Sequence, residues 1–325
     1  MPEAVLAVEG LRTHFFSRRG VAKAVDGVDL AIAPDETLAV VGESGCGKTM
    51  LALSILRLVP HPGRIVEGRV RFAGKDLLGL PEKALRTIRG NAISMIFQEP
   101  MTSLNPVFRI GDQIAETLRL HRGLGQEEAL DAARALLVQV GIPEPGRRLK
   151  TFPHELSGGM RQRVMIAMAL ACDPKVLLAD EPTTALDVTI QAEILDLMRE
   201  LKTRRQAAVM LITHDLGIVA ETSRKLVIMY AGRIVERGDV LSFFKNPLHP
   251  YAKLLLAAVP RIGRRAGELA AISGSVPDLL RLPEGCHFHP RCPSVFDRCR
   301  LERPPLYGVG GREVRCFLYD GGGHG

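Results

Sequence analysis

The chain has 325 residues, of which 46% are hydrophobic and 24% charged, and its formal net charge is +7. The composition is that of a globular protein, and the length suits one large domain plus an extension, or two domains. No apolar run reaches the about 18 residues of a membrane-spanning helix and no secretory signal opens the chain, so we expect a cytoplasmic protein. The positive charge lies in separated arginine pairs without interleaved aromatic residues, which disfavours a nucleic-acid partner.

The first third of the sequence predicts a strand–loop–helix that follows a small β subdomain. Residues 4–36 alternate between short apolar runs and polar breaks, which predicts the strands of an antiparallel subdomain. Residues 38–41 are typical of a buried strand, and residues 49–58 predict a helix. The loop between them matches the phosphate-binding pattern G-x-x-x-x-G-K-[ST]. Its residues are Gly42, Glu43, Ser44, Gly45, Cys46, Gly47, Lys48 and Thr49.

Each fixed position of this loop has a physical role in binding a polyphosphate. The glycines let the backbone curl, so that its N–H groups point inward. Lys48 brings a positive charge to the β- and γ-phosphates, and Thr49 offers a hydroxyl to Mg²⁺. The alternative is a glycine-rich turn that binds nothing, and the strand and helix on its flanks disfavour it. The loop therefore predicts nucleotide binding, but it does not indicate which process the nucleotide would drive.

The middle of the chain predicts a second anion-binding position. A short strand is expected at residues 70–72, helical periodicity covers residues 107–142, and a helix follows over residues 156–171. That last helix opens with Ser157, Gly158 and Gly159, whose bare N–H groups and hydroxyl suit an anion. One chain that binds one nucleotide has no obvious need for two such positions. A head-to-tail pair of subunits explains both.

Two carboxylates follow a predicted parallel strand at residues 176–179. Asp180 and Glu181 would lie at the carboxyl edge of the sheet, where ligands bind in open α/β folds. We expect Asp180 to hold Mg²⁺ and Glu181 to polarise the attacking water, although a solvent-facing strand end is the alternative. A helix at about residues 190–203, a buried strand at 208–213 and a hairpin around residues 231–233 complete the α/β pattern.

After about residue 240 this alternation ends, and prolines and cysteines accumulate in an accessory segment with a glycine-rich tail that we expect to be disordered. Four cysteines there have the spacing C-x5-C-x6-C-x16-C: Cys286, Cys292, Cys299 and Cys316. A cytosolic chain disfavours structural disulfides, and four thiolates suit a [4Fe–4S] cluster or a structural Zn²⁺. His287 and His289 are possible substitute ligands, and free thiols or a disulfide stay open as alternatives.

Taken in order, these motifs resemble the ATPase subunit of an ATP-binding cassette (ABC) transporter over about residues 1–260. The resemblance implies an α/β P-loop NTPase fold with a RecA-like core, an antiparallel β subdomain and a helical signature subdomain at about residues 99–171. It assigns the Walker A loop to residues 42–49, the Q-loop to Gln98, the signature to 156–162, Walker B to 176–180, the D-loop to 185–187 and the switch histidine to His214.

The same resemblance implies roles for single residues. Glu181, His214 and Lys48 are the expected catalytic residues, and His214 would contact the γ-phosphate. Gln98 would reach Mg²⁺ and the attacking water, and it would report the nucleotide state to a membrane partner. Phe15, with Phe16 as the alternative, would stack on adenine. On their own, His214 would be an ordinary polar residue at a strand end and Gln98 an ordinary loop amide.

Residues 101–106 and 246–255 resemble the dipeptide/oligopeptide importer group, which includes nickel and glutathione importers. We therefore expect a nucleotide-binding domain at residues 1–245 and an importer-type extension at 246–325. The residues around Cys292 and Cys299 resemble a segment that holds an iron–sulfur cluster in some of these ATPases. The implied cofactors are ATP, Mg²⁺ and a [4Fe–4S] cluster, with Zn²⁺ as the alternative to the cluster.

The implied partners are two membrane-spanning permease subunits, a second and paralogous ATPase subunit (or a second copy of this chain), and an extracytoplasmic substrate-binding protein. The chain would act at the cytoplasmic face of the membrane, powering peptide import with ATP held between two ATPase subunits. A nickel or glutathione importer is one alternative. A soluble ABC-type ATPase acting on nucleic acid or ribosomes is another, disfavoured because no second cassette or long insertion is present. A metal-sensing regulator is the third.

Overall fold

The computed structural model describes residues 4–99, 103–184, 186–259 and 272–321. Some predicted features lie partly outside these ranges. They are position 185 of the predicted D-loop, positions 101 and 102 of the segment 101–106, and residues 322–325 of the predicted tail. The chain divides into two compact units. The first consists of Met1–Leu6, Ile32–Glu36 and Gly79–Leu211, and the second of Ala7–Ala31, Thr37–Leu78 and Ile212–Gly325.

The described chain consists mainly of β-strands and α-helices. The strands are β1 (Leu6–Ser17), β2 (Gly20–Ile32), β3 (Thr37–Val41), β4 (Gly63–Phe72), β5 (Lys75–Asp76), β6 (Ile93–Ile96), β7 (Val176–Asp180), β8 (Ala208–Thr213), β9 (Lys225–Tyr230), β10 (Arg233–Asp239), β11 (Tyr307–Val309) and β12 (Arg312–Val314). The α-helices are α1 (Lys48–Ile55), α2 (Glu82–Arg86), α3 (Ile110–Arg122), α4 (Gln126–Gln139), α5 (Pro145–Arg148), α6 (Gly158–Leu170), α7 (Val188–Arg205), α8 (Leu216–Thr222), α9 (Val240–Lys245), α10 (Pro250–Ala257) and α11 (Asp297–Leu301). In the described part of the chain, no helix combines the length and apolar character needed to cross a membrane.

The second unit carries two groups of strands. A four-stranded sheet has the order β2-β1-β4-β5, and the remaining strands run β11-β12-β10-β9-β3. β3 is buried along its whole length and pairs in parallel with β9, which explains the apolar run at residues 38–41. β9 and β10 form a hairpin through Ala231 and Gly232, both at positive φ, as the twist of a two-residue hairpin requires.

The first unit places three strands beside a group of helices. Its strand order is β8-β7-β6, and β6 and β7 are parallel, with Ile93 opposite Val176. α3 ends at Gly123, which has a left-handed backbone, and α4 begins three residues later. This glycine C-cap divides the predicted helical region at residues 107–142 into two helices.

The structure confirms the main predicted elements and corrects some of their bounds. The strand predicted at residues 208–213 has the observed limits, whereas that predicted at 70–72 is the end of the longer β4. Ala73 and Gly74, both at positive φ, form the turn after β4, and Lys75 and Asp76 pair with the end of β4 as β5.

The accessory segment is more regular than its composition indicates. β12 pairs antiparallel with β10, with Val314 opposite Glu236, so the segment extends the sheet of the second unit. Three aromatic rings join it to that unit: Tyr230 of β9, Tyr251 of α10 and Phe288, with ring centroids 4.7 to 5.4 Å apart. All three side chains are buried, so the segment shares one core with β3 and β9.

Candidate functional site: a nucleotide-binding loop and its partner elements

The phosphate loop leaves the carboxyl end of β3 and enters α1 at Lys48. Gly47 is the N-cap of α1 with a φ of 107°, and a Cβ there would lie 2.1 Å from the carbonyl oxygen of Ala24. A Cβ on Gly42 would lie 2.3 Å from the carbonyl oxygen of Met229. Both distances are far inside van der Waals contact, so only glycine fits at either position. The two outer glycines therefore fix the curl of the loop.

Lys48 folds back onto the loop that precedes it. Its Nζ donates hydrogen bonds to the carbonyl oxygens of Gly42, at 2.8 Å, and of Glu43, at 3.1 Å. Phosphate oxygens can replace these acceptors, so the ammonium group is held ready at the mouth of the loop. Thr49 is half-buried at the second position of α1. Cys46 is buried, and burial raises the pKa of its thiol, so this side chain packs as a neutral group.

Asp180 and Glu181 lie at the carboxyl end of β7, where the sequence places them, and both are buried. Glu181 has a φ of 45°, in the left-handed region that non-glycine residues rarely adopt. Its Oε2 accepts hydrogen bonds from Gln98 Nε2, at 3.2 Å, and from Thr184 Oγ1, at 2.8 Å. These two donors and the unusual backbone hold the carboxylate in one direction. Thr184 escaped prediction from the sequence because nothing distinguishes it from the neighbouring threonine.

Ser157 is the N-cap of α6, and its Oγ accepts a hydrogen bond from the N–H of Met160 at 3.3 Å. Ser157 and Gly158 are exposed, and a Cβ on Gly158 would meet no atom within 4 Å. Gly159 is more restricted, because a Cβ there would lie 3.0 Å from Cγ2 of Ile190. The structure thus has an open, polar helix N-terminus, a geometry that suits an anion.

His214 and Asp187, the predicted switch and D-loop residues, both lie at or next to helix N-termini. His214 directly follows β8 and is exposed. The next residue, Asp215, caps α8 by accepting a hydrogen bond from the N–H of Gly217 at 2.7 Å. Asp187 caps α7 in the same manner, accepting from the N–H of Ile190 at 3.0 Å. His214 belongs to the second unit with the phosphate loop, whereas Asp187 belongs to the first unit with Glu181.

The two aromatic candidates for stacking on adenine have different surroundings. Phe15 is half-buried and packs on Gly63, where a Cβ would lie 2.7 Å from the ring. Phe16 is 41% exposed, and the guanidinium carbon of Arg64 lies 5.9 Å from its ring centroid. Successive strand residues point to opposite faces, so only one of the two rings can face a nucleotide on a given side. The stacking role of Phe15 stays a prediction.

The accessory segment contacts the phosphate loop, which no sequence motif indicated. The hydroxyl oxygen of Tyr251 accepts a hydrogen bond from the N–H of Glu43 at 2.8 Å. The guanidinium of Arg291 donates to both carboxylate oxygens of Glu43, at 2.8 and 2.9 Å. Sequence signals existed, since Tyr251 lies in the importer-type segment and Arg291 precedes a clustered cysteine, but neither indicated this partner.

The four clustered cysteines are all free thiols. Burial raises the pKa of Cys286 to about 11 and that of Cys316 to about 12, and nearby clustered thiols add to both shifts. Cys286 and Cys299 are also joined through their backbones by a hydrogen bond of 2.9 Å. Within the described residues, no group of three or more His, Cys, Asp or Glu side chains is arranged to hold a metal ion. The predicted [4Fe–4S] cluster and its Zn²⁺ alternative therefore stay predictions.

His289 and His287, the predicted substitute ligands, have different surroundings. His289 Nδ1 donates to the carbonyl oxygen of Cys286 at 3.0 Å. His287 is buried, and burial, followed by the nearby cations of Arg303 and Arg233, lowers the pKa of His287 to about 4, so its ring is neutral.

The second unit has a phosphate loop with glycines at both ends after the parallel strand β3. The first unit has an oriented carboxylate after β7 and an open, polar N-terminus on α6. These features define an ATPase of the ATP-binding cassette class. The family model described as "ABC transporter" matches residues 25–184, and the one described as "Oligopeptide/dipeptide transporter, C-terminal region" matches residues 235–299. The chain belongs to the ABC transporter family, in the group with the oligopeptide/dipeptide C-terminal region.

Relatives and solved structures agree with this assignment. The chain is 53% identical to a putative peptide import ATP-binding protein of Brucella abortus, over 94% of both chains. It is 50% identical to the oligopeptide transport ATP-binding protein AppD of Bacillus subtilis, over 97% of both, and 47% identical to the dipeptide transport ATP-binding protein DppD of Escherichia coli, over 96% of both. A dimeric ATP-binding cassette solved with ADP and phosphate superposes with a TM-score of 0.66 at 26% identity, covering 72% of this chain and 98% of that one.

Proposed function

We propose that this chain hydrolyses ATP to drive peptide import, as one of two ATPase subunits attached to two permease subunits at the cytoplasmic face of the membrane. The oriented Glu181 at the edge of β7 carries the proposal, and it is supported by the relatives named for peptide import. A binding protein outside the membrane would deliver the cargo. The extension from residue 246 would act as an accessory domain.

Each proposed catalytic group acts through its own chemistry. Lys48 would exchange its backbone acceptors for phosphate oxygens, and Thr49, Asp180 and Gln98 would hold Mg²⁺, which neutralises phosphate charge when bound. Glu181 would accept the proton of the attacking water at a carboxylate oxygen. Gln98 and Thr184 orient that carboxylate by donating to Oε2.

His214 would donate a hydrogen bond to the γ-phosphate from its exposed position after β8. The N–H groups of Gly158 and Gly159 and the hydroxyl of Ser157 would contact the nucleotide held on the other subunit. The open N-terminus of α6 supports this shared site, because a Cβ added at Gly158 would have no atom within 4 Å.

The cargo test is ATP turnover by the chain reconstituted with its permeases and binding protein. Stimulation is expected when the binding protein carries a dipeptide or a longer peptide, and Glu181→Gln should abolish it. Glu221→Gln, the same change at an exposed position on α8, is the matched control and should leave turnover unchanged. Stimulation by glutathione or Ni²⁺ alone would replace the peptide proposal, and absence of stimulation by all four would reject the importer role.

The shared nucleotide site has a separate test, which uses Glu181→Gln to prevent hydrolysis. Light scattering should show that ATP converts this variant from monomer to dimer, either alone or with a paralogous ATPase. Adding Ser157→Arg should abolish that conversion while nucleotide affinity of the monomer stays the same. Glu127→Arg, at the exposed start of α4 in the same unit, is the control for an arginine at a helix N-terminus. Equal effects of the two arginines would contradict the proposal.

We further propose that Cys286, Cys292, Cys299 and Cys316 hold a [4Fe–4S] cluster that braces the accessory segment. The support is a set of four free, clustered thiols whose pKa values are raised by burial at three positions, so that thiolates there need a compensating cationic group. Protein purified without oxygen should be brown and contain iron and sulfide, and Cys292→Ser should lose both while Cys172→Ser keeps them. A colourless protein with stoichiometric zinc would establish the zinc alternative instead.

A further inference from the structure

The C-terminal region holds one residue of the phosphate loop, Glu43, from two sides. Arg291 pairs with the carboxylate as a fork, with Nη1 to Oε2 at 2.8 Å and Nη2 to Oε1 at 2.9 Å. Tyr251 accepts the main-chain N–H of the same residue at 2.8 Å. A two-pronged guanidinium–carboxylate pair fixes orientation as well as distance. Both the side chain and the backbone at this position of the loop are therefore set by residues more than 200 positions away in sequence.

The side chain of Arg291 is held in place by several contacts, so it can fix the position of the Glu43 carboxylate. Its side chain is 6% exposed. The Nε donates to the carbonyl oxygen of Ser273 at 2.9 Å, and Nη1 donates to the hydroxyl of Tyr230 at 3.3 Å. The guanidinium carbon also lies 5.8 Å from the ring centroid of Tyr230. These contacts come from the accessory segment and from β9, and they leave the guanidinium one orientation.

Glu43 is in a position where an unpaired charge would oppose nucleotide binding. It is the second residue of the loop, and its carbonyl oxygen accepts a hydrogen bond from Lys48 Nζ at 3.1 Å. A carboxylate beside a triphosphate site repels the ligand and competes for the lysine. Pairing with Arg291 cancels that charge and turns the carboxylate toward the C-terminal region. The same pair keeps the loop carbonyls where Lys48 meets them.

We propose that Arg291 and Tyr251 are positioning residues of the phosphate-binding loop, through which the C-terminal region sets the affinity for ATP. The proposal rests on the role of residues 42–49 in ATP binding. Each acts through Glu43, since Arg291 pairs with its carboxylate and Tyr251 accepts its main-chain N–H. The accessory segment is thereby part of the nucleotide site's framework.

The experiment measures ATP binding by calorimetry for a double-mutant cycle in the full chain. Arg291→Gln should weaken ATP binding about tenfold, because it leaves the Glu43 carboxylate unpaired at the loop. Glu43→Gln alone should change the affinity less than about threefold, and the double variant should recover to within about threefold of wild type, because no unpaired charge is left. Tyr251→Phe should weaken binding about threefold through loss of one acceptor.

Arg298→Gln is the matched control. Arg298 also precedes a clustered cysteine and also donates to carboxylate oxygens, those of Glu302 and Asp320 at 2.9 and 2.7 Å, but these partners lie in the C-terminal region and not in the phosphate loop. It should bind ATP as wild type does. In reconstituted turnover, Arg291→Gln should raise KM for ATP more than it lowers kcat, and Arg291→Lys should recover part of the affinity.

Three results would overturn the proposal: wild-type affinity in Arg291→Gln, an equal loss in Arg298→Gln, or a double variant as weak as Arg291→Gln. The last outcome would show that Arg291 supports the fold and does not act through Glu43. Failure of the wild-type chain to bind ATP would instead reject the role of residues 42–49, so the two failures are distinguishable.

Discussion

His249 provides a quantitative test of how the C-terminal region is attached. It is 2% exposed, caps α10 by accepting the N–H of Tyr251 on Nδ1 at 3.1 Å, and lies against the ring of Phe288 at 5.6 Å. Burial is the main cause that lowers the pKa of His249 from its ordinary value of 6.5 to about 3; a hydrogen bond to the backbone of Arg315 opposes the shift, and the charge of Lys253 adds to it. Protonation would remove the acceptor that caps the helix and place a charge in the aromatic core.

The sign of the pH effect follows from that shift. Because the pKa of His249 is lower in the folded chain, the unfolded state takes up the proton first as pH falls. Stability is therefore complete above about pH 6.5 and is lost progressively toward pH 3. At about 1.4 kcal/mol per pH unit, this one group should cost about 2 kcal/mol between pH 6.5 and pH 5.

The assay is urea unfolding followed by far-ultraviolet circular dichroism at these two pH values. His249→Asn keeps a capping side chain without a titrating ring, so it should lose about 2 kcal/mol less than wild type over the same interval. His154→Asn, at an exposed position, should retain the wild-type pH dependence. Identical losses in wild type and His249→Asn would refute the assignment of this pH dependence to His249.

Two further predictions test the loop and the carboxylate. Gly47→Ala should abolish measurable ATP binding in calorimetry, because its Cβ would lie 2.1 Å from the carbonyl oxygen of Ala24. Gly74→Ala, at a φ of 79° with no atom within 4 Å of the new Cβ, should leave binding intact, and equal losses would contradict the steric argument. Gln98→Leu should lower kcat of reconstituted turnover about tenfold or more with little change in KM, because the Glu181 carboxylate loses a donor that orients it; an effect confined to KM would argue against that role.

The parts of the fold that sequence predicted are those with a local cause. β3, β7 and β8 are buried throughout, so their apolar runs are visible without knowledge of the tertiary structure. β11 and β12 have three residues each, too few for an alternating pattern, and they exist because β12 pairs with β10. Their formation depends on a partner about 80 positions earlier in the chain, which no window of sequence contains.

In the candidate site, too, the features with a local cause were predictable from the sequence and the long-range ones were not. The curl of the phosphate loop follows from glycines inside an eight-residue motif, so sequence alone predicts it. The ion pair between Arg291 and Glu43 joins residues 248 positions apart and leaves no periodic or spacing signal. The left-handed backbone of Glu181 was equally hidden, because glutamate has no preference for that region and the surrounding structure imposes it.

Each of the three residues His249, Pro250 and Tyr251 within the segment 246–255 has a physical explanation. His249 caps α10, Pro250 occupies the first helical position, where its missing N–H costs nothing, and Tyr251 reaches the N–H of Glu43. The buried carboxylate of Glu236 accepts the N–H groups of Leu248 and His249 at 2.7 to 3.1 Å, which fixes the start of the segment to β10. The contact of Glu236 with the start of the segment, the His249 cap on α10 and the hydrogen bond of Tyr251 to the phosphate loop depend on one another in that order. A change at any of these steps should therefore alter ATP affinity as well as the stability of the extension.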